Sequence, residues 1–275
     1  MTHPSVVGTL PSNISDYDVV RSLGQGNHGW FYLARPPSRL GLDEEFVAVK
    51  VFAGSCSERA YERGVRELRA FARVSSSHLV RVFDAVLDNG FCYAMEYCAL
   101  GSLAAPARQL SRAEQLRALA HAARALHAMH EAGLTHTDVK PANILITATG
   151  GKLSDLGLAR YLTPGVTLTG MGSSESVEFL DPALLRGGRP SRATEVFALG
   201  ATVHRVLTGL GLYGELPDAQ PLLSIRRVMT TEPRVAAGLS AAEAELVRSC
   251  LSPVSSRPTT VLEVADRLEE LAGQA

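Results

Sequence analysis

Hydrophobic positions change period partway along the chain. In the first hundred residues they alternate in short runs. Tyr17–Leu23, Trp30–Leu33, Val47–Phe52, Leu79–Val86 and Phe91–Tyr97 read as strands, several of them rich in β-branched and aromatic side chains. One helical pattern interrupts them over Glu58–Val74, with Val65, Leu68, Phe71 and Ala72 on one side. Asp88-Asn89-Gly90 is a strong turn signal between the last two strands. Beyond Gly101-Ser102 the period becomes helical. Ser111-Arg112-Ala113-Glu114 is a capping box leading into the stripe Leu116, Leu119, Ala123, Leu126, and Gly133 closes that helix. Ser240–Glu243 and Thr260–Glu263 are capping boxes for the last two helices, and Val264, Leu268 and Leu271 give the final one an apolar side. Strands with one helix, then mostly helices, predict an α+β chain.

Within the helical half, Ile144–Ile146 and Lys152-Leu153 read as two short strands. A hairpin there folds Asp155 back toward Asn143. These two residues offer oxygen donors, which suit a hard divalent cation such as Mg2+ together with phosphate oxygens. Asp138 faces the same space as a proton acceptor or orienting group, and Lys140 brings positive charge. Such a set fits phosphoryl transfer, where positioning and charge neutralisation carry most of the catalysis. Upstream, Gly24-Gln25-Gly26-Asn27-His28-Gly29 sits between two strands rather than before a helix. That placement argues against a dinucleotide fold, and no Gly-Lys-Ser/Thr follows to make a P-loop.

Composition narrows the choice. The chain has 275 residues, enough for one large domain or two compact lobes. With 27 basic and 28 acidic residues there is no global field for nucleic acid or anionic lipid. No apolar run is long enough to span a bilayer, and Met1–Asn13 lacks the pattern of a signal peptide. The four cysteines Cys56, Cys92, Cys98 and Cys250 lack metal-ligand spacing and read as thiols of a reducing compartment. His121, His127, His130 and His136 do not converge with cysteines or carboxylates, so they make no metal site. A cytoplasmic location is expected. No oligomeric state can be read.

Asp138-Val139-Lys140-Pro141-Ala142-Asn143 followed by Asp155-Leu156-Gly157 resembles the catalytic loop and metal-binding segment of the eukaryotic-type serine/threonine protein kinases. The similarity runs from about Tyr17 to Leu271. It implies a bilobal fold: a tail over 1–13, a small sheet lobe with one helix over 14–97, and a hinge with a larger helical lobe over 98–275. It also implies ATP with Mg2+, or Mn2+, and a protein substrate bearing Ser or Thr. By resemblance Gly24, Gln25, Gly26 and Gly29 cover the phosphates, and Lys50 in Val47-Ala48-Val49-Lys50 binds them. Glu62 and Glu67 are both candidates to position Lys50, and Arg66-Glu67-Leu68 favours Glu67. Phe31, Ala48, Met95 and Leu145 wall the adenine pocket, with Glu96-Tyr97-Cys98 as the hinge. Asp138 and Lys140 are catalytic, and Asn143 and Asp155 hold metal. His136 is structural, packing under the Asp155 segment.

Several positions depart from the family pattern. Phe31 stands where the family has valine. Thr137 replaces the arginine that meets a phosphate on the activation loop, so activity is expected not to require phosphorylation of Thr163, Thr167, Thr169, Ser173 or Ser174. Ser176 takes the place of a threonine that touches the catalytic Asp and Lys. Ala183 replaces a glutamate, leaving Arg257 in need of another acceptor, with Asp181 or solvent as the options. Glu195 replaces an aspartate. The expected function is transfer of the ATP γ-phosphate to protein hydroxyls. The alternative is a pseudokinase acting as a nucleotide-binding scaffold. A small-molecule phosphotransferase is disfavoured by Lys140-Pro141.

Overall fold

The protein was analysed as a computed structural model that describes residues 11–26, 29–52, 58–87, 90–155, 174–217 and 220–275. The glycine-loop tip Asn27-His28, Cys56, the turn residues Asp88-Asn89, Leu156-Gly157 and the loop hydroxyls Thr163, Thr167, Thr169 and Ser173 lie outside the described residues.

Six strands form one antiparallel sheet: β1 (Asn13–Ile14), β2 (Tyr17–Gly26), β3 (Gly29–Arg35), β4 (Val47–Phe52), β5 (Val82–Leu87) and β6 (Phe91–Glu96). Their spatial order is β1-β2-β3-β4-β6-β5. Helix α1 (Glu58–Ala72) lies against β5. Alternation along β4 and β6 sends Ala48, Phe52, Phe91, Tyr93 and Met95 to one core, and Val47, Val49, Cys92 and Ala94 to another. Asn13, expected at the end of the tail, pairs with Asp18 at the sheet edge.

Leu79 and Val80 correct the sequence reading. Predicted as the start of β5, they instead contact the other lobe. Leu79 bridges Leu153, the Val80 N–H donates to the Leu153 carbonyl at 3.0 Å, and the Leu153 N–H donates to the His78 carbonyl at 2.8 Å. Strand propensity marks extended backbone but does not choose its partner.

The large lobe is built on α2 (Arg112–Glu131), whose alanine-rich sides are buried on nearly all faces. It packs on the hairpin β7 (Ile144–Thr147) and β8 (Gly150–Leu153), and on the last helix. Among the described residues the remaining α-helices are α3 (Ser174–Val177), α4 (Pro182–Leu185), α5 (Arg192–Thr208), α6 (Pro221–Thr230), α7 (Ala241–Leu251) and α8 (Val261–Gln274). The capping boxes of Ser111, Ser240 and Thr260 form as expected, and Ser191 makes a further one with Thr194. Buried or half-buried ion pairs tie helices to α2: Arg112 to Glu243 on α7 at 2.7 Å, and Arg124 to Glu269 on α8 at 2.6 Å. No described helix is long and apolar enough to cross a membrane.

Candidate active site

A cleft of about 440 Å3 separates the sheet from the helical lobe. Of the sixteen site residues the sequence singles out, all but Gly29 and Glu67 line it. Leu23, Gly24, Gln25, Gly26, Phe31, Ala48 and Lys50 come from above, Met95, Glu96 and Cys98 from the hinge, and Asp138, Lys140, Asn143, Leu145 and Asp155 from below.

Gly29 lies outside this lining. Its backbone has φ +156°, and a Cβ there would come within 1.9 Å of the Val51 carbonyl oxygen. Glycine is therefore required for β3 to approach β4 so closely, outside the cleft lining. Phe31 lies with its ring against Gly26, where an added methyl would meet it at 2.7 Å, and with the Lys50 ammonium 5.0 Å from its centroid.

Lys50 is 3% exposed. Its ammonium is held by both carboxylate oxygens of Asp155, which stands at φ +62° just after β8. No ion pair joins Lys50 to Glu67, the partner that the sequence reading assigned. The buried side of α1 carries Leu68 and Phe71, and Glu67 sits half-buried at the edge of that side. Asp155 also accepts a hydrogen bond of 2.8 Å from the Tyr93 hydroxyl, a residue the sequence reading passed over. Alternation places Tyr93 on the same face of β6 as Met95, two positions on, but no local pattern reports its bond to Asp155.

Asp138 and Asn143 are fixed to one another. The Asn143 amide nitrogen donates to the Asp138 carbonyl at 2.7 Å and to its carboxylate at 2.9 Å. The Lys140 ammonium lies 2.9 Å from the same carboxylate and donates to the Ser176 hydroxyl at 3.1 Å. Burial pushes the Asp138 pKa up, but the charge and hydrogen bond of Lys140 and the bond from Asn143 outweigh it, so the net shift is downward. Asp138 is therefore a carboxylate at neutral pH. At the hinge, burial pushes the Cys98 thiol up to about 11, so it stays protonated and unreactive.

The loop beneath is anchored by buried groups. His136 Nε2 donates to the Ser154 carbonyl at 2.9 Å, while Nδ1 accepts from the Asp138 N–H at 3.3 Å. That pair of partners defines a neutral imidazole, and burial lowers its pKa accordingly. Glu195 accepts from the Thr137 N–H at 2.5 Å and contacts His130 Nε2 at 2.6 Å. Thr137 stands at φ +67°, so Glu195 braces a backbone turn that ordinary residues disfavour. Arg257 pairs with Asp181, and both are buried. Arg257 also donates to the carbonyls of Ser252 at 2.7 Å and Ala193 at 2.9 Å. A second cleft, also about 440 Å3, opens beside Lys140 and Ala142 and is walled by Leu103, Phe179, Arg205 and Val206.

Asn143 uses its amide nitrogen on Asp138, which leaves its oxygen as the atom to turn to a ligand. With the Asp155 carboxylate this makes an all-oxygen pair suited to a hard cation.

Comparison with known proteins places this geometry in context. Residues 17–267 match the protein kinase domain family. The chain is 34% identical to the serine/threonine-protein kinase PknK of Mycobacterium bovis, over 98% of this chain and 25% of that protein. It is 32% identical to PknD of Mycobacterium tuberculosis over 75% of this chain and 32% of the relative. Against PknB of Mycobacterium leprae the identity is 31%, over 73% and 34% respectively. The chain thus spans about a quarter to a third of the length of these relatives.

Proposed function

From the premise that the chain belongs to the protein kinase domain family, we propose that it transfers the γ-phosphate of ATP to serine or threonine hydroxyls of a protein. The observation that carries this reading is the convergence of Lys50, Asp138, Lys140, Asn143 and Asp155 on one cleft. ATP lies there with its phosphates toward Lys50 and the glycine segment. Asn143 and Asp155 would hold an Mg2+ ion, which would offset the negative charge that develops on the phosphates. Asp138 is a weak base, since its pKa is held down, so its part is to orient the acceptor hydroxyl as much as to take its proton. Lys140 stands between Asp138 and Ser176, where it steadies the transferred group. The second cleft beside Lys140 gives a protein segment a place to lie while its hydroxyl reaches Asp138.

Loop phosphorylation is not needed in this reading. Thr137 offers no cation to receive a phosphate, and its backbone is already held by Glu195. Alanine substitution of Thr163, Thr167, Thr169, Ser173 and Ser174 together is expected to leave transfer intact, and its loss would refute the point.

The deciding experiment is transfer from labelled ATP to a generic protein substrate with Mg2+. Lys50→Met and Asp138→Asn are each expected to abolish it. A second reading, a nucleotide-binding scaffold, draws on the engagement of Lys50 with Asp155 instead of Glu67. Nucleotide binding with no turnover across a panel of substrates would favour it.

A further inference from the structure

Tyr93 is buried behind the cleft and is not part of its lining. Its ring packs with Phe52 and Phe91, centroids 6.1 and 6.5 Å away. Phenylalanine would fill that role equally well. What tyrosine adds is a hydroxyl in an apolar core, which costs stability unless it finds a partner. Its partner is Asp155.

The sheet register explains the meeting. Tyr93 on β6 stands directly across from Lys50 on β4. Opposed residues of an antiparallel pair project to the same face. Two neighbouring strands therefore deliver an ammonium and a hydroxyl to one carboxylate. Among the described residues, Oδ1 receives both donors, whereas Oδ2 receives Lys50 alone. The Tyr93 bond fixes the carboxylate's rotation and leaves Oδ2 with capacity to spare, on a residue that lines the cleft.

We infer that Tyr93 is a positioning residue that aims Asp155 at the metal of the nucleotide complex. The inference rests on the reading of Asp155 as a metal ligand. Hydrogen-bond partners behind a ligating carboxylate carry part of the metal affinity, and losing one typically costs about 10- to 100-fold.

The test is calorimetric titration of the full chain with ADP at a series of Mg2+ concentrations, with no turnover involved. Wild type is expected to bind ADP more tightly as Mg2+ rises. Tyr93→Phe should need about 10- to 100-fold more Mg2+ for the same gain, with ADP affinity in the absence of Mg2+ unchanged. Tyr93→Met, which also lacks the hydroxyl, should show the same shift and serves if the phenylalanine variant folds poorly. Asp155→Asn should lose the Mg2+ effect altogether. If Asp155→Asn loses it while both Tyr93 variants keep the wild-type midpoint within twofold, the inference about Tyr93 is overturned and the ligand reading stands. If Asp155→Asn keeps the wild-type midpoint, or wild type shows no Mg2+ effect, the ligand reading fails and takes the inference with it.

Discussion

Two parts of this molecule depart from the family pattern in opposite ways. Beneath the catalytic loop the residues differ but the anchoring is present. Ala183 removes a carboxylate, and Asp181, two positions earlier, takes Arg257 instead. Glu195 is longer than the expected aspartate, yet it reaches both the Thr137 N–H and His130. At the buried lysine of the cleft the residues match but the pairing does not. Lys50 and Glu67 are both present, and Lys50 is engaged by Asp155. The contrast teaches that a motif reports which groups are available, while burial decides which pairings must be made. A buried cation needs a carboxylate and accepts one from a nearby position. Lys50 has two carboxylates to choose from, so its pairing depends on where α1 and the Asp155 segment stand.

The comparison is broken most severely at Arg257. Asp181→Ala would leave that guanidinium buried and unpaired, and breaking such a pair costs about 3–5 kcal/mol. The same change removes the Asp181 cap on the Ala183 N–H, 2.8 Å away. Urea unfolding measures the loss. Adding Ala183→Glu to that variant should recover part of it; no recovery would mean that the acid at 181 is not standing in for the missing one. A smaller effect is expected at Glu195. Glu195→Asp restores the residue of the family pattern, but a chain one methylene shorter cannot span Thr137 N and His130 Nε2 together. The unsatisfied group costs about 1–3 kcal/mol. Stability equal to wild type would show that the loop settles onto the shorter acid.

Much of this was legible in the chain itself, for reasons that can be named. Lys50 and Met95 were placeable through the resemblance of their strands to the family pattern, and the pairing of β4 with β6 carries them to one face of the sheet. The loop carrying Asp138, Lys140 and Asn143 is local, so its geometry follows from neighbouring residues. The boxes at Ser111, Ser240 and Thr260 announce themselves with a glutamate at the third position. Ser191 was missed because Thr194 closes its box instead. Leu79 and Val80, the Lys50–Asp155 pair and the Tyr93 bond were illegible for a shared reason. Each joins segments far apart in sequence, and no local pattern records the distance between them.

His136 lies between the two regions, bonded to the Asp138 N–H and the Ser154 carbonyl, and it supplies a pH test. Burial lowers its pKa below the usual histidine value, as it does those of His78, His121 and His204. The unfolded chain then binds more protons than the folded one below about pH 6.5. Stability is full above that pH and falls as pH drops toward the folded-state values. The slope is about 1.4 kcal/mol per pH unit for each proton taken up on unfolding. Urea unfolding at pH 7.5, 6.5 and 5.5 reads it, and a flat profile would contradict the lowered pKa values of buried His136 and His204 and half-buried His78 and His121. His136→Gln should make the profile shallower, since it removes one of the groups whose pKa burial lowers.

The smallest expected effect sharpens the comparison most. Glu67 makes no ion pair with Lys50 in this structure, so Glu67→Gln should leave the ligand-free protein within about 0.5 kcal/mol of wild type, as for a substitution that breaks no buried contact. Asp155→Asn should behave differently, because it removes the charge facing a buried ammonium. The same two variants can then be melted with ATP and Mg2+ present, since a ligand that binds only the folded state raises the melting temperature. If Glu67→Gln also leaves the nucleotide-induced rise intact, Lys50 keeps Asp155 as its partner throughout and Glu67 is a surface charge. If the rise shrinks while ligand-free stability holds, Lys50 exchanges Asp155 for Glu67 when nucleotide arrives, releasing the carboxylate for the metal. A ligand-free loss as large as that of Asp155→Asn would mean that Glu67 is already the partner, and the contrast between the two regions would disappear.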